Sequence, residues 1–409
     1  MSTGIFNTGN YTTDLAKKSF AAMITRLMPN GSAPLFGLTS MLTAETAAQV
    51  EHGFFSKTMI FPEVKINFGA GYLAGDTTFV VDTTVNILPG MIMRIERTGE
   101  NIIIDSVTDA VTVVVTRAVG TVVAAAILDN DDFYQVGNAY EEASTRPLAN
   151  NIIPVRITNL TQIFRNTWAI SGSAQSTQVI AGDATDAESK QDAAAFHAVD
   201  IEKAIFFSQK SSGTRNGQPF RTMDGLINMV EEPTNYPPSY GGATNSFTAG
   251  ATTNWTQLLG FLDPVFDQAT DPKGAPERIL FVGGTAMLVI NEIGRLNGTY
   301  HLVDGQTNFG LQFRTLTTPR GKFRIVEHPL FNTNVVWAKM AVAVDLPTFK
   351  LAYLAGRKTQ NKEFNTKGDM AQDNGIDAVG GTLTTEVTTV IKNTPANSVI
   401  RNLTAAAVG

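Results

Sequence analysis

The chain has 409 residues, 43% of them hydrophobic, with 31 basic against 37 acidic side chains and no cysteine. That length exceeds what a single hydrophobic core fills, so a multidomain protein is expected. Disulfides, thiolate metal sites and thiol nucleophiles are excluded, a net charge of −6 is no footprint for tight nucleic-acid binding, and no apolar run approaches the roughly 18 residues of a membrane span.

Met1–Asn10 has no charged lead followed by an apolar core, so it does not read as a secretory signal, and the expectation is a protein made and kept in a cytoplasm. Residues 1–49 read as an arm: Ser2–Ser19 is polar, Phe20–Met28 is helix-like, and Pro29, Asn30 and Gly31 break it. Such a segment buries little alone, and either lies on a neighbouring subunit or frays. Val50–Asn67 is strand-like, with Phe54 and Phe55 separated from Met59, Ile60 and Phe61 by a polar triplet, and Ile152–Ile157 reads as its antiparallel return.

Between those stretches, Gly69 and Gly71 open a separate unit that Gly137 and Asn138 close. Phe79–Val81, Met91–Ile95, Ile102–Ile104 and Val111–Val115 are short strands bounded by turn residues, the pattern of a small β-sandwich or barrel. An apolar and polar alternation then runs from Ile163 to Val179. Thr185–Lys210 follows as the longest amphipathic helix, capped by Asp183 or Thr185, with Ala194, Ala198, Ile201 and Ile205 on one face and Ser211, Ser212 and Gly213 ending it. Arg221–Ile227 reads as a strand-like return, and Pro233–Thr253 as a loop and domain boundary.

Asn254 caps a helix over Trp255–Ala269, with Leu258, Leu259 and Leu262 inward. Ile279–Val282 is a buried strand, Gly283 and Gly284 a turn, and Thr285–Leu296 a second helix. Strands follow at Phe313–Thr317, Phe323–Glu327, Val335–Asp345 and Phe349–Leu354, giving an α+β mix. Ile376–Ile391 alternates with β-branched residues and is expected to return to the domain of the long helix.

Little in the chain points to chemistry. His52, His197, His301 and His328 lack metal-ligand spacing, and His197 reads as a polar residue on the long helix. The Gly71–Asp76 segment has glycines but no Lys-Ser/Thr pair for phosphate, Asp129–Asp132 lacks the spacing of a calcium loop, and Gly172-Ser173 does not complete a nucleophile elbow. Glu141, Glu142 and Arg146 form the one charge cluster of interest, either pairing with a neighbour or standing as a solvated turn.

The order of segments and three local motifs carry a resemblance. Gly137-Asn138-Ala139-Tyr140-Glu141-Glu142 is followed by Arg146-Pro147, then by Thr161-Gln162-Ile163-Phe164 and Ser171-Gly172-Ser173-Ala174-Gln175 ahead of the long helix. In these features the chain resembles the major capsid proteins of tailed bacteriophages with the Hong Kong 97 fold, in the subfamily with a β-domain inserted in the extended loop. The resemblance implies an N-terminal arm (1–49), an extended loop (50–68 and 138–167), an inserted β-domain (69–137), a peripheral domain with a spine helix (168–250 and 355–409) and an axial domain (251–354).

It further implies a structural subunit of an icosahedral head, made in the bacterial host cytoplasm, whose hexamers and pentamers enclose double-stranded DNA without reading its sequence. A portal protein, and scaffold or decoration proteins, are the other partners implied. No catalytic residue, cofactor, metal or membrane is expected. Phe54, Phe55, Met59, Phe61, Glu141, Glu142 and Arg146 are the candidate intersubunit contacts. A tail or baseplate protein is the alternative, and a β-rich hydrolase a weaker one.

Overall fold

The computed structural model describes residues 33–41, 43–57, 62–149, 151, 154–176, 186–232, 245–267, 277–296, 303–308, 311–364 and 378–407. The expected helix at Phe20–Met28 therefore lies outside the described residues, as do Met59, Phe61, His301 and the caps Asp183 and Thr185. The chain divides into two compact units, one running from Phe55 to Arg156 and the other made from the flanking sequence on both sides.

In the flanking unit, a five-stranded sheet has the order Glu45–Ala47, Phe349–Leu354, Ala378–Ile391, Gln162–Ser171, with Gln360–Phe364 also paired to Ala378–Ile391. The 14-residue strand Ala378–Ile391 is its axis, and runs antiparallel to Gln162–Ser171 from Gln162↔Val387 to Ser171↔Ala378. The expected return to the long helix's domain is thus real. The expected strand Ile163–Val179 is shorter than its alternation suggested, because Gly172–Ser176 turns into a helical segment.

The long helix spans Asp186–Phe207, 22 residues, and packs on this sheet. It stops short of the expected Lys210, and Gln209 and Lys210 lead into a strand. Ile201 and Ile205 are fully buried as expected, but Ala194 is exposed; Ala193 and His197 occupy the buried face in its first half. Phe206 meets Phe281, His328 and Phe331 at centroid distances of 5.7, 4.9 and 5.1 Å, tying the helix into the main core.

A seven-stranded sheet completes this unit in the order Ser246–Thr248, Ser398–Arg401, Ala341–Val344, Glu277–Val282, Lys322–Glu327, Leu311–Thr317, Val303–Asn308. Ala341–Val344 is central and buried at every residue, which explains an unbroken apolar run. The expected strand over Val335–Asp345 shrinks to these four residues, since Trp337–Lys339 forms a 3-10 turn and Val335 and Val336 are exposed. The expected loop Pro233–Thr253 contains a short strand, Ser246–Thr248, parallel to Ser398–Arg401.

Helices Trp255–Leu262 and Gly284–Leu296 cover one side of this sheet with Leu258, Leu262, Ile290 and Ile293. Asn254 caps the first through a reciprocal box with Gln257, as its sequence position requires. That helix ends at Leu262 and continues as a 3-10 turn, Asp263–Phe266, because Pro264 has no N–H to extend an α-helical ladder. Leu259 is only partly buried.

The unit Phe55–Arg156 is built on a sheet ordered Glu63–Lys65, Asp132–Asn138, Met91–Ile95, Asn101–Val107, Thr112–Thr116, Thr78–Val80. Its two edges meet: Ile66 bridges Val81, Asn67 N donates to Val80 O at 2.9 Å, and Asp82 N donates to Lys65 O at 3.0 Å. The sheet is therefore a closed barrel without free edges. Phe79, Met93, Ile95, Ile102, Ile104 and Phe133 fill it. Gly137 and Asn138, read from sequence as closing this unit, end the strand Asp132–Asn138. The strand Glu63–Lys65 also belongs to the barrel.

Candidate assembly surfaces

The strand Glu51–Ser56 pairs with Val155–Leu160 as a two-stranded ribbon. Gly53 is required there, since a Cβ would stand 2.3 Å from the Ile157 carbonyl oxygen. Lys210 Nζ holds the ribbon by donating to Thr158 O at 2.7 Å. Alternation along the strand separates the two candidate phenylalanines. Phe54 packs on the main core and on the small cluster of Ala47, Ala352 and Val390, while Phe55 is 71% exposed.

Glu141, Glu142 and Arg146 lie on the exposed segment after the strand Asp132–Asn138. Tyr140 anchors its start through its hydroxyl, which donates to Pro89 O at 3.3 Å. Ser144 N then donates to Glu141 O at 3.2 Å, and Ala143 takes a φ of +62°. The three charged side chains form no ion pair among the described residues, so the structure does not bring them together.

Sequence reading missed a third surface. Ser211–Arg215 and Gln218–Thr222 form a hairpin around Asn216 and Gly217, both at positive φ (52° and 73°), where Arg221–Ile227 was expected to be a single strand-like return. Residues 211–220 are all exposed, and Leu226–Glu231 is helical. Asn-Gly is the strongest short hairpin signal and could have located it. A two-stranded hairpin exposed on both faces has marginal stability alone.

The other polar candidates are absorbed by structure. His197 Nδ1 lies 2.7 Å from Asn166 Oδ1 and its Nε2 2.7 Å from Thr385 Oγ1. Burial lowers its pKa, against a smaller opposite pull from Asp200. His52 stands 3.5 Å from Glu45, a carboxylate also held by Lys392 at 2.5 Å. Asp131 is bound twice by Arg97, at 2.7 Å each, and Asp132 pairs with Lys65 at 3.2 Å, while Asp129 accepts from Phe68 N at 2.9 Å and from Asn130 Nδ2 at 2.8 Å, so each carboxylate of the Asp129–Asp132 run has a partner within the protein. Gly71, at φ +66°, makes the expected turn with its N–H on Phe68 O. Among the described residues no group of His, Asp and Glu could hold a metal ion.

Two buried or half-buried polar clusters were invisible in the sequence. Glu202 is fully buried on the long helix and bonds His328 and the backbone of Leu35 and Phe36. Where the first turns of that helix cross the five-stranded sheet, Lys190 Nζ lies 2.8 Å from Glu363 Oε1 and 4.6 Å from the centroid of the Trp168 ring. Asn361 joins the same group through Glu363 and Trp168.

From residue 5 to residue 404 the chain matches a family model described as SU10 major capsid protein. It is 35% identical over 408 residues to the major capsid protein of Pseudomonas phage PaMx41, covering 98% of this chain and 96% of that protein. Among solved structures it is similar to the capsid of the empty GTA particle, with a TM-score of 0.49 and 10% identity over 98% of this chain and 100% of that one. A chain from Mycobacterium phage Adephagia is similar with a TM-score of 0.44 and 8% identity over 99% of each.

Proposed function

Since the chain belongs to the SU10 major capsid protein family, we propose that its copies associate as hexamers and pentamers that close into an icosahedral shell around double-stranded DNA. It is a structural subunit of a bacteriophage head and a component of the virion, and not an enzyme. The Hong Kong 97 division into arm, extended loop, inserted domain, peripheral domain and axial domain is part of this proposal, with its boundaries adjusted so that Glu63–Lys65 goes to the inserted domain, Phe349–Leu354 to the sheet of the long helix, and Ser246–Thr248 and Ser398–Arg401 to the seven-stranded sheet. Synthesis in the host cytoplasm, and contacts with a portal and with scaffold or decoration proteins, belong to it as well.

The observation that carries the self-assembly reading is the split between Phe54 and Phe55. A ribbon strand that packs one phenylalanine, partly buried, on its own subunit and leaves the next 71% exposed presents an apolar group that a neighbouring copy covers in this reading. In this reading Met59 and Phe61 extend that contact, and Glu141, Glu142 and Arg146 supply pairing charges of both signs on a second exposed segment.

Electron microscopy of the purified, concentrated protein tests it. Closed shells of uniform size are expected. Tubes or stacked rings would favour a tail component, and a homogeneous monomer under all assembly conditions would overturn the self-assembly reading.

A further inference from the structure

We propose that the side of the five-stranded sheet turned away from the long helix is a contact surface for the phosphate backbone of double-stranded DNA. The inference rests on the shell reading above for the identity of the polyanion, and names the part of the subunit that the DNA touches. Register defines this side. Arg165, Thr384 and Gln360 are partners across three strands, and so are Thr167, Thr382 and Lys362. On a pleated sheet such partners, and every second residue along a strand, point the same way. The opposite side carries Phe164, Trp168 and Thr385, and the long helix covers it, with His197 on Thr385 and Lys190 over the Trp168 ring.

The uncovered side is cationic in a chain whose net charge is −6. Arg165 and Lys362 are exposed, and neither side chain has a partner among the described residues. Glu386, two residues along from Thr384 and buried, is the only carboxylate that the strands Gln162–Ser171, Gln360–Phe364 and Ala378–Ile391 place on this side. It is shared by Arg357 at 2.6 Å and Arg221 at 3.6 Å, and also accepts from Thr161 Oγ1 at 2.8 Å. One carboxylate offsets one guanidinium, so the second joins Arg165 and Lys362 as unbalanced positive charge. The hairpin Ser211–Thr222, from which Arg221 comes, adds Arg215 and contains no acidic residue.

The make-up of this side favours a nucleic-acid backbone over a protein. Protein interfaces bury an apolar, aromatic core inside a polar rim, whereas nucleic-acid interfaces are more polar and much more positively charged. Here the middle is Thr167, Thr382 and Thr384, whose hydroxyls, like Lys and Arg, donate to phosphate oxygens, and the apolar Ile163 and Phe364 stand at the two ends. Arg165 and Lys362 lie two strand spacings apart, about 10 Å, so they meet separate phosphates of a duplex that carries one charge per about 1.7 Å of axis. Side chains on an open sheet that touch only phosphates carry no sequence preference, as a container for a whole genome requires.

Fluorescence anisotropy of the unassembled full-length protein with a labelled DNA duplex of arbitrary sequence tests the proposal. Wild type is expected to bind at about 50 mM salt and to lose about a hundredfold in affinity by about 200 mM, the dependence for roughly four phosphate contacts. Arg165→Gln combined with Lys362→Gln removes two exposed cations that hold no other group, and should weaken binding at the lower salt by more than about tenfold and roughly halve the salt slope. Lys203→Gln combined with Arg295→Gln removes the same charge from other exposed positions and should bind as wild type does. No binding by wild type at the lower salt overturns the proposal, and so does equal weakening of both double variants, which would reduce the effect to net charge. Electron microscopy of the same proteins separates this contact from self-assembly. Wild-type shells without DNA binding by the unassembled protein overturn the contact and leave the shell standing, and loss of those shells in the Arg165→Gln, Lys362→Gln variant would then assign this side to a neighbouring copy. DNA binding through these residues by a protein that never closes shells would uphold the contact and overturn the shell.

Discussion

His328 Nε2 lies 2.8 Å from Glu202 Oε1, with both side chains fully buried and 126 residues between them in sequence. The same carboxylate accepts the N–H of Leu35 at 2.8 Å and of Phe36 at 2.6 Å, which are free donors in the first turn of the helix Pro34–Met41. Glu202 therefore acts as an N-cap supplied by a distant helix. It fixes the first described segment of the chain to the long helix and to the end of the strand Lys322–Glu327.

Removing that carboxylate should be expensive. Glu202→Ala leaves His328 and two backbone donors buried without partners, and a loss of about 3–5 kcal/mol is expected in urea unfolding. Glu202→Gln keeps one acceptor oxygen and should lose less. A Glu202→Ala midpoint within experimental error of wild type would show that the helix Pro34–Met41 does not depend on this cap.

His197 gives a pH dependence with a definite sign. Burial is the main cause holding its pKa below the ordinary 6.5, and it outweighs the upward pull of Asp200. The native state thus binds its proton less readily than the unfolded chain. The stability from neutral His197, bonded to Asn166 and Thr385, is fully present above 6.5 and is lost as pH falls through the folded-state value. Urea midpoints taken from about pH 7 to about pH 5 should fall more steeply for wild type than for His197→Gln. Parallel slopes would assign the acid sensitivity to other groups.

The contrast between Ile201 and His197 shows which parts of the fold the sequence discloses. Ile201 and Ile205 recur at helical spacing and are buried, so that half of the helix was legible. In the other half three successive alanines carry no facing signal, and His197 is inside only because Asn166 and Thr385, from two distant strands, satisfy it. The barrel strands were legible through β-branched runs between turns, but closure through Ile66 and Val81 depends on tertiary register. Lys190, Asn361, Glu363 and Trp168 come from three separate elements with no shared motif, and their meeting at Gly381 leaves no mark on any local pattern.

Ile201→Asp tests the buried face of the long helix. Ile201 is fully buried, and a carboxylate there has no partner, so a loss of several kcal/mol is expected, enough to prevent folding or assembly. Lys203 is exposed, and Lys203→Gln should stay within about 0.5 kcal/mol of wild type. Soluble, assembling Ile201→Asp protein would contradict the packing described for this face.

Phe54 and Phe55 should separate folding from assembly. Phe54→Ser opens a cavity where two clusters meet and is expected to lower stability by about 2 kcal/mol. Phe55→Ser should leave the urea midpoint near wild type yet abolish closed particles on electron micrographs. Wild-type shells from Phe55→Ser protein would remove this residue from the intersubunit contact.

The barrel offers the largest alteration. Gln135 N donates to Pro62 O at 3.1 Å, so the chain enters and leaves the barrel at neighbouring points. Replacing residues 63–138 with a short Gly-Ser linker should therefore leave a soluble protein with an unaltered long helix, visible by circular dichroism. Within the barrel, Glu100 and Arg117 form a buried ion pair, 2.7 Å between Oε2 and Nη2, and the N–H groups of Ala118 and Ala125 also reach the carboxylate. Burial alone would raise the Glu100 pKa, but Arg117 and the two N–H donors outweigh it and hold the pKa below its ordinary value. Arg117→Ala strands that charge and should cost the barrel about 3–5 kcal/mol. If the barrel folds as its own unit, calorimetry of Arg117→Ala will show one transition moved down and another in place. A single transition that moves as a whole, together with aggregation of the linker variant, would mean that the barrel and the rest of the chain fold as one.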